Sequence, residues 1–169
     1  MRDLDWQLLC IGSLDRDPRT ARSIRQMISA ARLGWRITLV GEQPPRMVMR
    51  AYRAADCVVL PSLHEGYGMV FAEAMAHGLP IVATTAGAVP ETVPRAAGLL
   101  VSPGDAAALA RSLRRVITNP ALAAGLAAGS RAAGARLPDW RQTTQRWEQA
   151  LDLLALLPPR PSGFENGDE

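Results

Sequence analysis

Short runs of aliphatic and β-branched residues alternate with longer amphipathic segments along the first two thirds of this chain. The strand-like runs cover residues 8–12, 36–41, 57–62, 80–85 and 98–102, and helical patterns cover residues 20–33, 46–55, 69–77 and 105–118. This alternation is typical of successive βαβ units. Each strand-like run is apolar throughout, as expected of parallel strands that are covered on both faces. The pattern therefore predicts an α/β fold with a parallel sheet and helices on both faces.

The rest of the sequence predicts further helices and a tail. Residues 120–155 contain no strand-like run and are predicted to form two helices, whereas residues 158–169 have no hydrophobic periodicity and are predicted to be a disordered tail. With 48% apolar and 21% charged residues in 169 positions, the composition is that of one globular domain with a sizeable core. We therefore predict a single domain over residues 1–157.

Charge and cysteine content exclude several classes of function. The net charge is +3, and the 19 basic residues, all of them arginine, are scattered along the chain, so we expect no nucleic-acid partner. Cys10 and Cys57 lie inside strand-like runs, where a buried neutral thiol is the usual state. The first residues lack the pattern of a signal peptide, and no apolar run is long enough to cross a membrane. These features predict a cytoplasmic protein.

A glycine-rich turn, HEGYGM over residues 64–69, directly follows the third strand-like run and opens the next helix. In a parallel α/β sheet, ligands bind beyond the carboxyl ends of the strands, where free N–H groups at a helix N-terminus attract anions such as phosphate. Glu65 in the turn and Glu73 in the helix each offer a carboxylate that accepts hydrogen bonds from hydroxyl groups. This combination suggests a sugar nucleotide. The alternative is that Glu65 is a capping residue and Glu73 a solvated residue on the helix face.

The segment PSLHEGYGMVFAEAMAHGLPIVATTAGAVPETV, together with GLLVSPGDAAALARSL, resembles the donor-binding half of retaining nucleotide-sugar glycosyltransferases with the GT-B fold, of the type called glycosyltransferase family 4. The paired glutamates, the E-G-Y-G turn, the helix end E-A-M-A-H-G-L-P and the P-G-D cap follow one another in the order found in that family. The resemblance implies a Rossmann-like sheet that forms the C-terminal half of a GT-B protein. Residues 1–157 would then be a partial nucleotide-sugar donor-binding domain.

The resemblance also implies a role for each residue that matches the family's motif. Glu65 would be the catalytic-site residue that meets hydroxyl groups of the donor sugar, and Glu73 would hold the ribose. The backbone N–H groups offered to the sugar and the distal phosphate would be those of Gly66, Tyr67, Gly68 and Met69. A pocket for the base is expected near the ends of earlier strands, where the candidates are Gly41, Glu42 and Gly12.

Members of this family usually need no metal, and the sequence offers no convincing cluster of metal ligands, so we expect neither a metal nor another cofactor. The substrate is expected to be a UDP- or GDP-sugar whose hexose is transferred, with retained configuration, to an acceptor that the sequence does not identify. Peripheral contact with a membrane, to reach a lipid acceptor, is left open.

The chain departs from the family's pattern at its beginning. Members normally carry one more βα unit before the run at residues 8–12, with a glycine-arginine pair and a lysine that clamp the diphosphate, and this chain contains no lysine. The first βα unit is therefore predicted to be missing, which leaves an unpaired gap in the middle of the sheet. A separate upstream acceptor-domain chain, direct pairing of the runs at 8–12 and 57–62, or a poorly folding gene fragment would each account for this gap.

We expect the chain to be a donor-domain fragment of a glycosyltransferase. Its own transferase activity is expected to be small, because the acceptor domain that closes over the donor is also absent. The alternative is a non-catalytic nucleotide-sugar binding module or a subunit of a split glycosyltransferase. A non-hydrolysing sugar-nucleotide epimerase fits the E-G-Y-G to E-A-M-A pattern less well.

Overall fold

The computed structural model describes residues 1–137 and 140–155, except for the side chains at positions 140, 146, 154 and 155. Contacts divide the chain into two compact units, Met1–Ala135 and Arg136–Glu169. The strands of the first unit are β1 (Leu8–Ile11), β2 (Ile37–Gly41), β3 (Val58–Leu60), β4 (Ile81–Thr84) and β5 (Gly98–Val101). Its helices are α1 (Pro18–Ala30), α2 (Pro45–Ala54), α3 (Met69–Ala76), α4 (Val89–Thr92), α5 (Ala106–Thr118) and α6 (Pro120–Gly134). The described part of the second unit contains α7 (Trp140–Ala155).

Every predicted strand and helix is present, and local chemistry explains where the boundaries differ. Helix α1 begins before its predicted start at residue 20, because the Asp17 carboxylate accepts hydrogen bonds from the N–H groups of Arg19 and Thr20, both at 3.1 Å. Its C-terminal end is set by Arg32, which adopts a left-handed φ of 53°. The short helix α4 was not predicted, since its 4 residues are too few to show a helical period. The predicted domain end at residue 157 and the tail over 158–169 lie outside the described residues.

The strands form two separate parallel sheets. Strands β1 and β2 pair in one sheet, and β3, β4 and β5 pair in that order in the other. No described strand joins β1 to β3, so the sheet is interrupted where the sequence predicted a gap. Of the three explanations considered for this gap, direct pairing of the runs at 8–12 and 57–62 is excluded by the strand order.

Strand β4 lies at the centre of the core. All four of its residues are buried, and because successive side chains of a strand point to opposite faces, both faces of the sheet are covered there. On one face, Val82 packs with Val116 of α5 and Leu126 of α6. The predicted α/β fold with a parallel sheet and helices on both faces is therefore confirmed.

Helix α6 packs closely against the segments before and after β4. The hydroxyl group of Ser130, which is fully buried, donates a hydrogen bond to the carbonyl oxygen of Leu79 at 2.7 Å. A Cβ atom on Gly129 would overlap the carbonyl group of Ala96, and one on Gly134 would lie 2.5 Å from the carbonyl oxygen of Met75. The small residues of α6 thus allow its backbone to approach the end of α3.

The two-stranded sheet is much more exposed than the three-stranded one. On β1, Leu8 is 38% exposed, Leu9 is 50% exposed and Ile11 is 36% exposed. Because Leu8 and Leu9 point to opposite faces of the strand, both faces of β1 are open. Its aliphatic residues therefore lie beside the unpaired edge created by the gap.

A long-range ion pair fixes the start of the chain to the three-stranded part of the fold. Both terminal nitrogens of Arg114, on α5, donate to the carboxylate oxygens of Asp3 at 2.7 Å. This hydrogen-bonded guanidinium holds the pKa of the Asp3 carboxyl well below its usual range. Among the described helices, none combines the length and the apolar character needed to cross a membrane.

Candidate functional site

The glycine-rich turn lies between the end of β3 and the start of α3, as the sequence predicted. Gly68 is the N-cap of α3 and adopts a left-handed φ of 75°, while its carbonyl oxygen accepts a hydrogen bond from the N–H group of Phe71 at 2.8 Å. A Cβ atom on Gly68 would lie 2.5 Å from the Phe71 ring, so both the dihedral angle and the packing require glycine. Within residues 1–137 and 140–155, the N–H groups of Met69 and Val70 have no hydrogen-bond acceptor. This helix end can therefore receive an anion.

The loop that follows β4 holds the backbone of Glu65. The carbonyl oxygen of Glu65 accepts a hydrogen bond from the N–H group of Ala88, in that loop, at 3.1 Å. Gly87 has a φ of 54°, and a Cβ atom at this position would overlap that same carbonyl group. The Glu65 carboxylate is half-buried and its Oε2 atom accepts a weaker hydrogen bond from the Ser62 hydroxyl at 3.3 Å. The remaining carboxylate oxygen is available to a ligand.

Two threonines fix other carbonyl groups of the same segment. The Thr92 hydroxyl, on α4, lies 3.1 Å from the carbonyl oxygens of both Tyr67 and Ala88 and shares its one proton between them. The Thr84 hydroxyl donates to the carbonyl oxygen of Ser62. These carbonyl groups are therefore hydrogen-bonded within the protein. The side chain of Tyr67 is 63% exposed and that of Met69 is 68% exposed, so this surface is open to a ligand.

Glu73 lies on α3 and is held by a residue of α2. The hydroxyl group of Tyr52 donates a hydrogen bond to the Oε2 atom of Glu73 at 2.8 Å. The Tyr52 ring also stacks on the ring of His77, with 5.1 Å between centroids and 14° between planes. Burial of the phenol, followed by the hydrogen bond and the negative charge of Glu73, raises the pKa of Tyr52. Tyr52 is therefore a permanent hydrogen-bond donor at neutral pH.

The residues that were predicted to line a base pocket form a second, separate group. Gly12 follows β1 and Gly41 ends β2, and the N–H group of Gly12 donates to the carbonyl oxygen of Gly41 at 3.0 Å. Both glycines have positive φ angles, 153° and 73°, and Glu42 beside them is exposed. Among the described residues, no hydrogen bond links this group to the turn at 65–69 or to Glu73. The structure thus places the predicted residues in two groups. One group follows the ends of β1 and β2, and the other consists of the turn after β3 together with Glu73 on α3.

Sequence reasoning missed several residues that support this site. Three of them, Tyr52, Gly87 and Thr92, contact predicted residues through the chain's fold and not through a local motif. Thr84 contacts Ser62, which donates a hydrogen bond to the predicted Glu65. Gly87 gave a detectable signal, because a glycine soon after a strand often marks a close backbone approach. The others are common residue types whose partners lie 21 to 25 positions away, as for Tyr52 with Glu73 and Thr92 with Tyr67.

No group of three or more histidine, cysteine, aspartate or glutamate side chains that could bind a metal ion occurs in the part of the chain that the structure describes. That the protein needs no metal stays a prediction. Burial raises the pKa of the Cys57 thiol to about 12, so this side chain is a neutral apolar group and not a nucleophile.

Comparison with known proteins finds sequence relatives that cover much of this chain. The family model described as glycosyl transferases group 1 matches residues 1–119. D-inositol 3-phosphate glycosyltransferase from Saccharomonospora viridis is 41% identical over 98 residues, which are 57% of this chain and 22% of that protein. The enzyme of the same name from Corynebacterium urealyticum is 28% identical over 155 residues, which are 91% of this chain and 36% of that protein.

Solved structures show the same fold. Sucrose-phosphate synthase from Thermosynechococcus elongatus superposes with a TM-score of 0.76 at 35% identity, over 88% of this chain and 38% of that one. The Anabaena protein HepE, solved with UDP and glucose, superposes with a TM-score of 0.80 at 25% identity, over 87% of this chain and 40% of that one.

These matches show which family the chain belongs to and how much of each relative it covers. The chain spans about a fifth to two fifths of the length of these four proteins. It aligns with part of GT-B glycosyltransferases and keeps their parallel α/β architecture. Because the family model covers well over half of its residues, this chain belongs to the group 1 glycosyltransferases.

Proposed function

We propose that the turn at residues 65–69 and helix α3 bind a nucleoside-diphosphate sugar, and that this protein is the donor-binding part of a retaining hexosyltransferase. The observation that carries the proposal is the open N-terminus of α3, which lies between two glutamates that other residues hold in place. The structures of HepE with UDP and with UDP-glucose support it, because they show a protein of this fold with such a ligand.

Each part of the site has a distinct task in this proposal. The N–H groups from Gly66 to Met69 receive the distal phosphate, Glu65 accepts hydrogen bonds from hydroxyl groups of the sugar, and Glu73 accepts one from the ribose. Gly12, Gly41 and Glu42 contribute to the base pocket. The base would be uracil or guanine, corresponding to a UDP- or GDP-sugar.

The chemical step follows from where charge develops. Transfer with retained configuration passes through an oxocarbenium-like transition state, in which negative charge builds up on the leaving diphosphate. The N-terminus of α3, with about half a positive charge from the helix dipole, would stabilise that charge. An acceptor must also be held close to the sugar in a site that excludes water. We therefore expect the 169-residue chain to bind the donor but to transfer the sugar slowly without an acceptor-binding domain, whether covalently attached or supplied by another chain.

Calorimetric titration of the folded chain with UDP, GDP and their hexose conjugates tests the proposal. Saturable binding of one nucleotide, and tighter binding of its sugar conjugate, would support a donor site and would identify the base. The nucleoside monophosphate serves as a control, because it lacks the distal phosphate that α3 is proposed to hold. A chain that shows native circular dichroism but binds none of these ligands would overturn the proposal that the described residues form a donor site.

A further inference from the structure

A contact between α2 and α3 suggests how Glu73 is prepared for its ligand; this inference rests on the proposed function. Glu73 and His77 are four residues apart and therefore lie on the same side of α3 and its C-cap. Tyr52 touches both of them, because its ring stacks on His77 and its hydroxyl group reaches Glu73. One aromatic side chain thus spans a full turn of α3.

The hydrogen bond between Tyr52 and Glu73 divides the carboxylate into two unequal oxygens. The Oε2 atom accepts the phenol proton at 2.8 Å, while Oε1 has no partner within residues 1–137 and 140–155. A tyrosine phenol is protonated at neutral pH even without a shift, and the raised pKa of Tyr52 acts in the same direction, so its role as donor does not change. A free glutamate on an exposed helix face would sample several rotamers, and this contact selects among them.

Helix α2 has little else to place Tyr52 there. None of its residues is buried, and its N-cap, Pro44, makes no side-chain hydrogen bond. The stacked His77 ring is therefore one contact that supports the half-buried phenol. The two rings lie 14° from parallel, and this stacking contact opposes a change in the χ1 angle of Tyr52, which is the angle that sets where its hydroxyl group lies.

We propose that Tyr52 is a positioning residue, which directs the free Oε1 atom of Glu73 toward one ribose hydroxyl group, and that the His77 ring holds Tyr52 in place. The carboxylate then binds the ribose through one oxygen and the protein through the other. The rotamer freedom of Glu73 is lost on folding and not on ligand binding, which strengthens binding.

Replacing Tyr52 with phenylalanine tests the hydrogen bond, because Tyr52→Phe keeps the ring and its stacking surface. We expect UDP to bind about fivefold more weakly to this variant. The informative control is 2′,3′-dideoxyuridine 5′-diphosphate, which has no ribose hydroxyl group for Glu73 to bind. Its affinity is expected to be the same for the wild-type chain and for Tyr52→Phe. Equal weakening of both ligands would show a general structural role and would overturn the proposal.

Substitution of His77 tests the support for Tyr52. His77→Leu removes the flat ring and is expected to weaken UDP binding about two- to threefold, whereas His77→Phe keeps a stacking surface and is expected to restore wild-type affinity. In a Glu73→Gln background, Tyr52→Phe should cause a smaller loss than in the wild-type chain, because the charged acceptor is already gone. If the losses of UDP-binding free energy caused by Tyr52→Phe and Glu73→Gln add fully, Tyr52 does not act through Glu73 and the proposal is contradicted.

The outcomes separate this inference from the proposed function. Suppose that the wild-type chain binds UDP and that Tyr52→Phe binds both UDP and 2′,3′-dideoxyuridine 5′-diphosphate with wild-type affinity. The positioning role is then wrong, while the donor site stands. If the folded wild-type chain binds neither UDP nor GDP, the proposed function and this inference fail together. If Tyr52→Phe weakens the binding of UDP but not that of the dideoxy analogue, the result supports both the donor site and the positioning role.

Discussion

At the scale of single residues, the site depends on two backbone positions that accommodate only glycine well. Gly68 caps α3 with a φ of 75°, and Gly87 approaches the carbonyl group of Glu65 with a φ of 54°. Gly66 differs from both, because a Cβ atom there would meet no atom within 4 Å. Substitution by alanine is therefore expected to destabilise the fold at Gly68 and Gly87 but not at Gly66.

Gly87→Ala is expected to lower the free energy of unfolding by about 1–3 kcal/mol, because the added methyl group overlaps the Glu65 carbonyl and the dihedral angle is strained. Gly66→Ala is the matched control, with an expected change of about 0.5 kcal/mol or less. Urea denaturation followed by circular dichroism measures both. Equal stability of the two variants would mean that the close approach of Gly87 to Glu65 is not maintained in solution.

Glu73→Ala tests the ribose assignment. The substitution removes a charged acceptor from an exposed helix face, so we expect nucleotide-sugar binding to weaken by about 1–3 kcal/mol while the helix content stays the same. Calorimetric titration with UDP and UDP-glucose measures the loss. Glu148→Ala, which removes an exposed glutamate from α7, controls for the change in net charge. Unchanged binding by a folded Glu73→Ala chain would remove Glu73 from the site.

At the scale of elements, the sequence predicted the helices and strands well and their mutual contacts poorly. A continuous apolar run located β4, because both of its faces are buried, and hydrophobic periodicity located α5, because it buries one face. The turn before α3 was found because Glu65 and the two glycines lie within four consecutive residues of the chain. The contacts of Tyr52 with Glu73 and of Gly87 with Glu65 were not predicted, since they join elements through the tertiary fold. The short α4 lacked a measurable period.

Helix α6 offers a paired test of how closely an element is packed. Gly125 and Gly129 lie one turn apart, but a Cβ atom on Gly125 meets nothing within 4 Å, whereas one on Gly129 would overlap the carbonyl group of Ala96. Gly125→Ala is expected to raise the free energy of unfolding by about 0.5–1 kcal/mol through better helix propensity. Gly129→Ala is expected to lower it by about 1–3 kcal/mol through overpacking. Thermal unfolding of both variants decides this, and a change of the same sign for both would contradict the packing of α6.

At the scale of the whole molecule, the sheet is interrupted between β1 and β3, and few contacts tie the N-terminal region to the rest of the fold. The ion pair between Asp3 and Arg114 is one of them, and it joins residues 111 positions apart. Tyr52 with Glu73 is another. The resemblance to the family predicted the interruption, but these contacts could not be predicted from the sequence because exposed charged residues have many possible partners.

The Asp3–Arg114 pair predicts a pH dependence of stability. The folded state lowers the pKa of Asp3, so its contribution is complete above the usual aspartate pKa of about 3.9 and is lost as the pH falls toward the lower value of the folded state. The stability difference between wild type and Asp3→Asn should therefore be present at pH 7 and shrink below about pH 4. Because the pair is exposed, salt should reduce the difference. Asp5→Asn is the control, and a difference that grows on acidification would contradict the assignment.

The open edge of β1 predicts self-association of the chain. Beyond its pairing with β2, β1 forms no ladder with another described strand, and its aliphatic side chains are exposed on both faces. Such an edge can accept a strand from a second molecule. We expect the sedimentation coefficient to rise with protein concentration, and Leu9→Lys to suppress this rise because a charge on an edge strand opposes pairing. Met27→Lys adds the same charge at an exposed position of α1, so it should change the association little. Equal effects of the two variants would point to net charge, and not to the β1 edge, as the cause.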